Sequence, residues 1–113
     1  MRPVSDTPRI LVIDDEEVVL DSCAQILEGG EYQMATATDG ASGLRLVGEF
    51  APDLVFVDLR MPGLSGFEVL EQIRKRDPAI VTIVITGYAT VSSAVEAMKS
   101  GAYDFLPKPF TPD

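Results

Sequence analysis

Three short runs rich in branched aliphatic residues, Ile10 to Ile13, Leu54 to Val57 and Ile80 to Ile85, limit what this chain can fold into more than any other feature. Runs this short and this apolar suit strands covered on both faces, the situation of a parallel sheet. Helical spacing lies between them: Val19, Cys23, Ile26 and Leu27 recur at helical intervals, as do Val91, Ala94, Val95 and Met98. Phe67, Leu70 and Ile73 mark a third, shorter helix, and Ala41 to Phe50 a weaker fourth. Tyr32 to Ala37 and Tyr103 to Leu106 read as flanking strands, joined to the rest by short polar or Gly/Pro turns. Strands alternating with helices predict an α/β fold: a doubly wound, five-stranded parallel sheet with right-handed crossovers and helices on both faces.

A chain of 113 residues, 46% of them hydrophobic, is long enough for one core and too short for two. Residues 1–8 read as a tail and residues 9–113 as the domain. The pattern stops early, because only Pro-Lys-Pro-Phe-Thr-Pro-Asp follows Tyr103 to Leu106, leaving one face of that strand without a helix. Thr111 as an N-cap with Pro112 behind it predicts the start of a last helix, so the chain is expected to be truncated before or within it. No apolar run approaches the roughly 18 residues that cross a bilayer, and the polar N-terminus is no secretory signal; the expected compartment is the cytoplasm.

Charge and residue inventory then narrow the chemistry. Eighteen acidic against nine basic residues leave a net charge of -9, which argues against this domain gripping nucleic acid by itself. The absence of histidine excludes Ser/His and Cys/His catalytic couples and a histidine-ligated metal. The lone Cys23 forms no internal disulfide and reads as a small buried apolar residue. Carboxylates, hydroxyls and lysine remain, and a hard cation is their natural companion.

Those groups occupy telling positions. Asp14 and Asp15 follow the first strand, Asp58 the third, Thr86 ends the fourth and Lys108 follows the fifth. In an open parallel sheet the carboxyl ends of the strands share one edge, where ligands bind. Singly, each has an ordinary reading: the acids, with Glu16 and Glu17, favour a helix N-terminus, Thr86 suits a strand and Lys108 a solvated surface. Together, three crowded carboxylates raise one another's pKa unless a cation lies among them, and Mg2+ suits a few carboxylates and water. Asp58, placed by the central strand and followed by the Arg60-Met61-Pro62-Gly63 turn, is the candidate nucleophile toward phosphorus. Asp15, with Asp14 behind it, is placed to hold the metal, and Thr86 to donate its hydroxyl to a phosphoryl oxygen.

The segments LVIDDE, LVFVDLRMPGLSGFEVL, VITGYA and GAYDFLPKPF resemble, in family order, the signatures of response-regulator receiver domains, and cover the chain from Arg9 to Phe110. The resemblance implies the flavodoxin-like strand order 2-1-3-4-5, with Asp14 and Asp15 as the acidic pair, Asp58 as phosphoacceptor, Thr86 as switch hydroxyl and Lys108 as phosphate-binding lysine. It also implies Mg2+ held by Asp14, Asp15, Asp58 and the backbone carbonyl of Arg60, and a cis bond between Lys108 and Pro109. Phe105 matches the switch aromatic, with a core aromatic as its ordinary alternative; Arg60 and Tyr88 match positions that tune phosphoryl lifetime.

By the same resemblance, a sensor histidine kinase donates the phosphoryl group, and the fourth helix with the fifth strand, including Ala89, Val91, Ala94 and Met98, reports it to a linked output domain. The C-terminal stretch is similar to receivers of sigma-54-type AAA+ transcription activators, and a phosphorylation-dependent homodimer is expected. No turnover enzyme and no membrane or direct nucleic-acid partner is expected. A receiver of a hybrid histidine kinase is the alternative within the family. A haloacid-dehalogenase-type phosphatase needs Asp-x-Asp after its first strand, where this chain has Asp14-Asp15-Glu16; a flavodoxin-like carrier needs a phosphate loop there, which these acids would repel. A constitutive binding module with a dead site is the remaining class.

Overall fold

The computed structural model describes residues 7–27, 30–87 and 89–108. Its elements alternate as the sequence predicts: β1 (Arg9–Ile13), α1 (Glu17–Leu27), β2 (Gln33–Ala37), α2 (Gly40–Phe50), β3 (Leu54–Val57), α3 (Gly66–Arg76), β4 (Val81–Thr86), α4 (Val91–Lys99) and β5 (Asp104–Pro107). The five strands form one parallel sheet in the order β2-β1-β3-β4-β5, which is the expected 2-1-3-4-5. The proposed helix start at Thr111-Pro112 and the Lys108-Pro109 bond lie outside the described residues.

Alternation along the strands divides the core in two. Leu11, Ile13, Val55, Val57 and Val84 face α2, α3 and α4, where Leu44, Val47, Val69, Leu70, Ile73 and Ala97 pack against them. Ile10, Val12 and Ile85 face the other way, onto Val19 and Cys23 of α1. Cys23 is buried, as expected, and burial followed by the nearby Asp14 charge pushes its thiol pKa up, away from thiolate reactivity.

Strand boundaries shift by a residue where hydrophobicity misleads. Ile80 is buried but precedes β4, because its N–H closes a turn to the Asp77 carbonyl. The expected strands from Tyr32 and Tyr103 begin one residue later, at Gln33 and Asp104, and both tyrosines are exposed. Exposure in α4 favours the surface reading of its apolar stripe. Val91, Ala94, Val95 and Met98 share a helical face, but Val91, Val95 and Met98 are exposed and Ala97 is the residue of α4 buried in the core. The helix turns its small side chain to the sheet, since a bulkier one would push it away.

Local sequence explains the helix starts. Asp39 and Ser65 cap α2 and α3 through bonds from the Ser42 and Glu68 amides, and Thr90 with Ser93 forms a reciprocal capping box on α4. Two glycines have opposite meanings. Gly48 lies on the exposed face of α2, where an added Cβ meets nothing within 4 Å. Gly48→Ala is expected to stabilise the fold by about 0.5 to 1 kcal/mol, seen as a higher urea midpoint with unchanged slope. Gly66 opens α3 against the end of β3, where a Cβ would collide with the Asp58 carbonyl and lie 2.6 Å from Leu59 Cα. Backbone cannot rotate aside as a side chain can, so Gly66→Ala is expected to cost about 2 kcal/mol in the same unfolding measurement.

Candidate functional site

Each strand that delivers a site residue is extended by one more ladder bond at that residue. Asp14 N–H donates to Ala37 O at 3.0 Å, Asp58 N–H to Ile13 O at 3.0 Å and Lys108 N–H to Thr86 O at 2.8 Å. The sheet therefore fixes the backbone of all three groups at its carboxyl edge before any side chain acts. Thr86, fully buried, ends β4 between the strand of Asp58 and the strand of Lys108.

The side chains converge on one ammonium. Lys108 Nζ lies 2.7 Å from Asp14 Oδ2, 3.0 Å from Asp58 Oδ2 and 3.0 Å from Glu16 Oε1. The other carboxylate oxygens are oriented by backbone: Glu16 N–H donates to Asp14 Oδ1 at 2.9 Å and Arg60 N–H to Asp58 Oδ1 at 3.3 Å. Asp14 and Asp58 are buried, whereas Asp15 and Glu16 are exposed at the mouth. One oxygen from each of Asp14, Asp15, Glu16 and Asp58 lies within 4.8 Å of the others.

Burial sets the electrostatics. It pushes the Asp14 carboxyl above its ordinary pKa, and the Asp58 charge adds to this, against weaker opposition from Lys108 and the Glu16 amide. The Lys108 pKa is raised as well: burial alone would lower it, but its contacts with Asp14, Glu16 and Asp58 outweigh burial and hold it above the ordinary lysine range. One ammonium among four carboxylates leaves excess negative charge. Asp14 Oδ2, buried and with no hydrogen bond of good geometry, faces only that ammonium among the described residues. An all-oxygen donor set with an under-satisfied buried oxygen fits a hard divalent cation.

Of the sequence candidates, Asp14, Asp15, Asp58 and Lys108 meet in one site, and Thr86 is buried at the end of the neighbouring strand β4. Arg60 contributes its amide to Asp58 while its side chain is exposed. Phe105 is half-buried against the α2–α3 side of the core, opposite Val84 in register. Tyr88 lies outside the described residues. Glu16, read in the sequence as a helix-start acid, is instead a fourth carboxylate of the site. Its adjacency to Asp14 and Asp15 was the available signal, but its reach to Lys108, 92 positions away, is a tertiary fact.

Comparison with known proteins agrees with this fold. Residues 10–113 match the family model described as response regulator receiver domain. Over 106 residues the chain is 38% identical to the nitrogen assimilation regulatory protein NtrX of Azorhizobium caulinodans, covering 92% of this chain and 23% of that protein. A CheY-like receiver domain protein from Methanospirillum hungatei superposes with a TM-score of 0.88 at 34% identity, covering 95% of this chain and 86% of that one. A response regulator from Burkholderia pseudomallei, solved with a phosphorylated aspartic acid, a calcium ion and citrate, superposes with a TM-score of 0.85 at 33% identity, covering 93% and 62%. The chain thus spans about a quarter of the curated relative it matches.

Proposed function

The chain belongs to the response regulator receiver family of two-component systems, and on that premise we propose that Asp58 accepts a phosphoryl group from the phosphohistidine of a sensor kinase. The observation that carries this reading is the meeting of Asp58, Asp14 and Glu16 on Lys108 at the carboxyl edge of the sheet. The phosphorylated aspartic acid of the Burkholderia relative supports it.

In the reaction, an Asp58 carboxylate oxygen forms a bond to phosphorus as the donor's P–N bond breaks, and the electron pair of that bond stays on the departing imidazole. The β3 ladder and the Arg60 amide hold the carboxylate so that one oxygen is oriented and the other faces Lys108. Lys108 neutralises the charge on the phosphoryl oxygens, and the Thr86 hydroxyl donates to one of them. Mg2+, when held by Asp14, Asp15, Asp58 and the Arg60 carbonyl, supplies further neutralisation of that charge. Burial raises the pKa of Asp14, so a cation beside it favours its charged form.

Thr86 drawn toward the phosphoryl group leaves space for Phe105, so charge at Asp58 biases the α4-β5 surface, where Val91, Val95, Met98 and Leu106 are exposed. Arg60 and Tyr88 tune the lifetime of the acyl phosphate. The domain modifies itself once and turns over no substrate. Its surface would speak to a linked output domain of the sigma-54 activator class in the cytoplasm, and to a second phosphorylated copy.

Incubating the chain with acetyl phosphate, with and without Mg2+, and reading intact mass tests the proposal. A single Mg2+-dependent phosphoryl adduct, mapped to the peptide containing Asp58, is expected. A folded, cation-binding chain that gains no adduct would refute it.

A further inference from the structure

Lys108 carries one more carboxylate than the phosphoryl chemistry requires. Asp14 and Asp58 reach it from within the sheet edge, whereas the Glu16 side chain, 54% exposed, reaches it at 3.0 Å from the solvent side. Glu16 is not a loose surface acid. Its N–H donates to Asp14 Oδ1 at 2.9 Å, and its carbonyl accepts from Val19 N at 3.0 Å and Leu20 N at 3.3 Å as α1 begins. Its side chain therefore starts from a root fixed on both sides. An acid serving only the helix N-terminus has no reason to reach back to Lys108, and Glu17 already supplies that charge in the first turn.

We infer that Glu16 is a gatekeeping anion of the site: it holds Lys108 in the resting molecule, strengthens divalent-cation binding and discriminates among phosphoryl donors by their negative charge. The inference rests on the reading of Asp58 as acceptor. In the resting molecule Lys108 Nζ donates to Glu16 and Asp58 and pairs by charge with Asp14, so its protons are already directed at carboxylates. A phosphoryl group on Asp58 must claim one of those protons. Glu16 is the partner released at least cost, because water resolvates an exposed carboxylate, while Asp14 and Asp58 are buried. Until then its charge attracts a divalent cation and repels a dianionic donor at the mouth, two effects that one substitution removes together.

The test compares Glu16→Gln, which keeps the shape and removes the charge, with the unaltered chain. Titration calorimetry with Mg2+ alone is expected to show affinity about fivefold weaker in the variant, the gap narrowing at high salt. At saturating Mg2+, labelling by acetyl phosphate, a dianion, is expected to be about threefold faster, while labelling by the less charged phosphoramidate changes less. Cation affinity and a donor rate ratio both within twofold of the unaltered chain would overturn the inference. Loss of labelling with both donors would also overturn it, since Glu16 would then be required for the reaction and would not be filtering donors. Failure of the Asp58 reading looks different: the unaltered chain itself takes no phosphoryl group from either donor, while the calorimetric comparison still reports on Glu16.

Discussion

Asp58→Asn is expected to give a folded chain that takes up no detectable phosphoryl group from acetyl phosphate at saturating Mg2+, a loss of at least ~1,000-fold, as for removal of a nucleophile. Asparagine keeps the volume of the buried side chain and an oxygen to accept the Arg60 N–H, so the end of β3 and the turn after it stay in place. What disappears is the charged oxygen that faces Lys108 at 3.0 Å and that would attack phosphorus. Lys108 retains Asp14 and Glu16, and the crowding of carboxylates eases, so unfolding without metal should move by no more than about 1 kcal/mol in either direction. A normal melt with no adduct isolates chemistry from folding. An adduct of undiminished yield would move the acceptor to Asp14, Asp15 or Glu16, the other carboxylates of the cluster.

How far the sequence speaks for the structure depends on what each residue has to satisfy. Strands β1, β3 and β4 were legible because Val and Ile buried on a central parallel sheet leave a run with little polar interruption. The sheet order came from the resemblance, and the structure bears it out. The edge strands were placed one residue early, because tyrosine favours strands in isolation, whereas Tyr32 and Tyr103 are exposed just before β2 and β5 begin. In α4 the apolar spacing left core and surface both open: Val91, Val95 and Met98 are exposed, and the residue buried in the core is Ala97. Helical periodicity shows that a helix has an apolar stripe; it does not show whether that stripe meets the sheet or stays on the surface.

The site was legible for a different reason. Strand ends of a parallel sheet share one edge, so acids and a lysine placed after apolar runs predict their own meeting. Asp14, Asp58 and Lys108 obey that rule through backbone bonds that continue the ladder. Glu16 does not follow from it, since its carboxylate reaches the site by side-chain length from the start of a helix. Two readings of an acid at a helix start, dipole partner and site wall, are identical in sequence, and only the position of Lys108 separates them.

Lys108→Met should divide the two roles of the ammonium, structural and chemical. Methionine keeps the unbranched stem but leaves Asp14, Asp58 and Glu16 without their shared cation. Removing one member of a buried ion cluster leaves the remaining charges uncompensated, and about 3 kcal/mol of stability should be lost at neutral pH in the presence of a chelator. The loss should shrink in acid. Asp14 already has a raised pKa in the folded chain, so the folded state binds more protons than the unfolded one between the ordinary and the raised value, and stability falls as pH rises through that window. Without Lys108 to oppose it, the window extends upward, and the variant approaches the unaltered protein as pH falls toward the carboxylate range. In the unaltered chain the lysine's contribution is complete at neutral pH, because its own raised pKa means it is lost only as pH climbs beyond the ordinary lysine range. Saturating Mg2+ should restore most of the variant's stability, and bind it more tightly than the unaltered protein, since the cation no longer competes with an ammonium. Phosphoryl uptake should nonetheless remain at least ~100-fold slower, because that cation leaves the charge formerly met by Lys108 unmatched on the transferring group. Urea unfolding with chelator and with Mg2+, at neutral and mildly acidic pH, reads all but the last of these; equal stability of the two chains in chelator would show that Lys108 does not hold the carboxylates together.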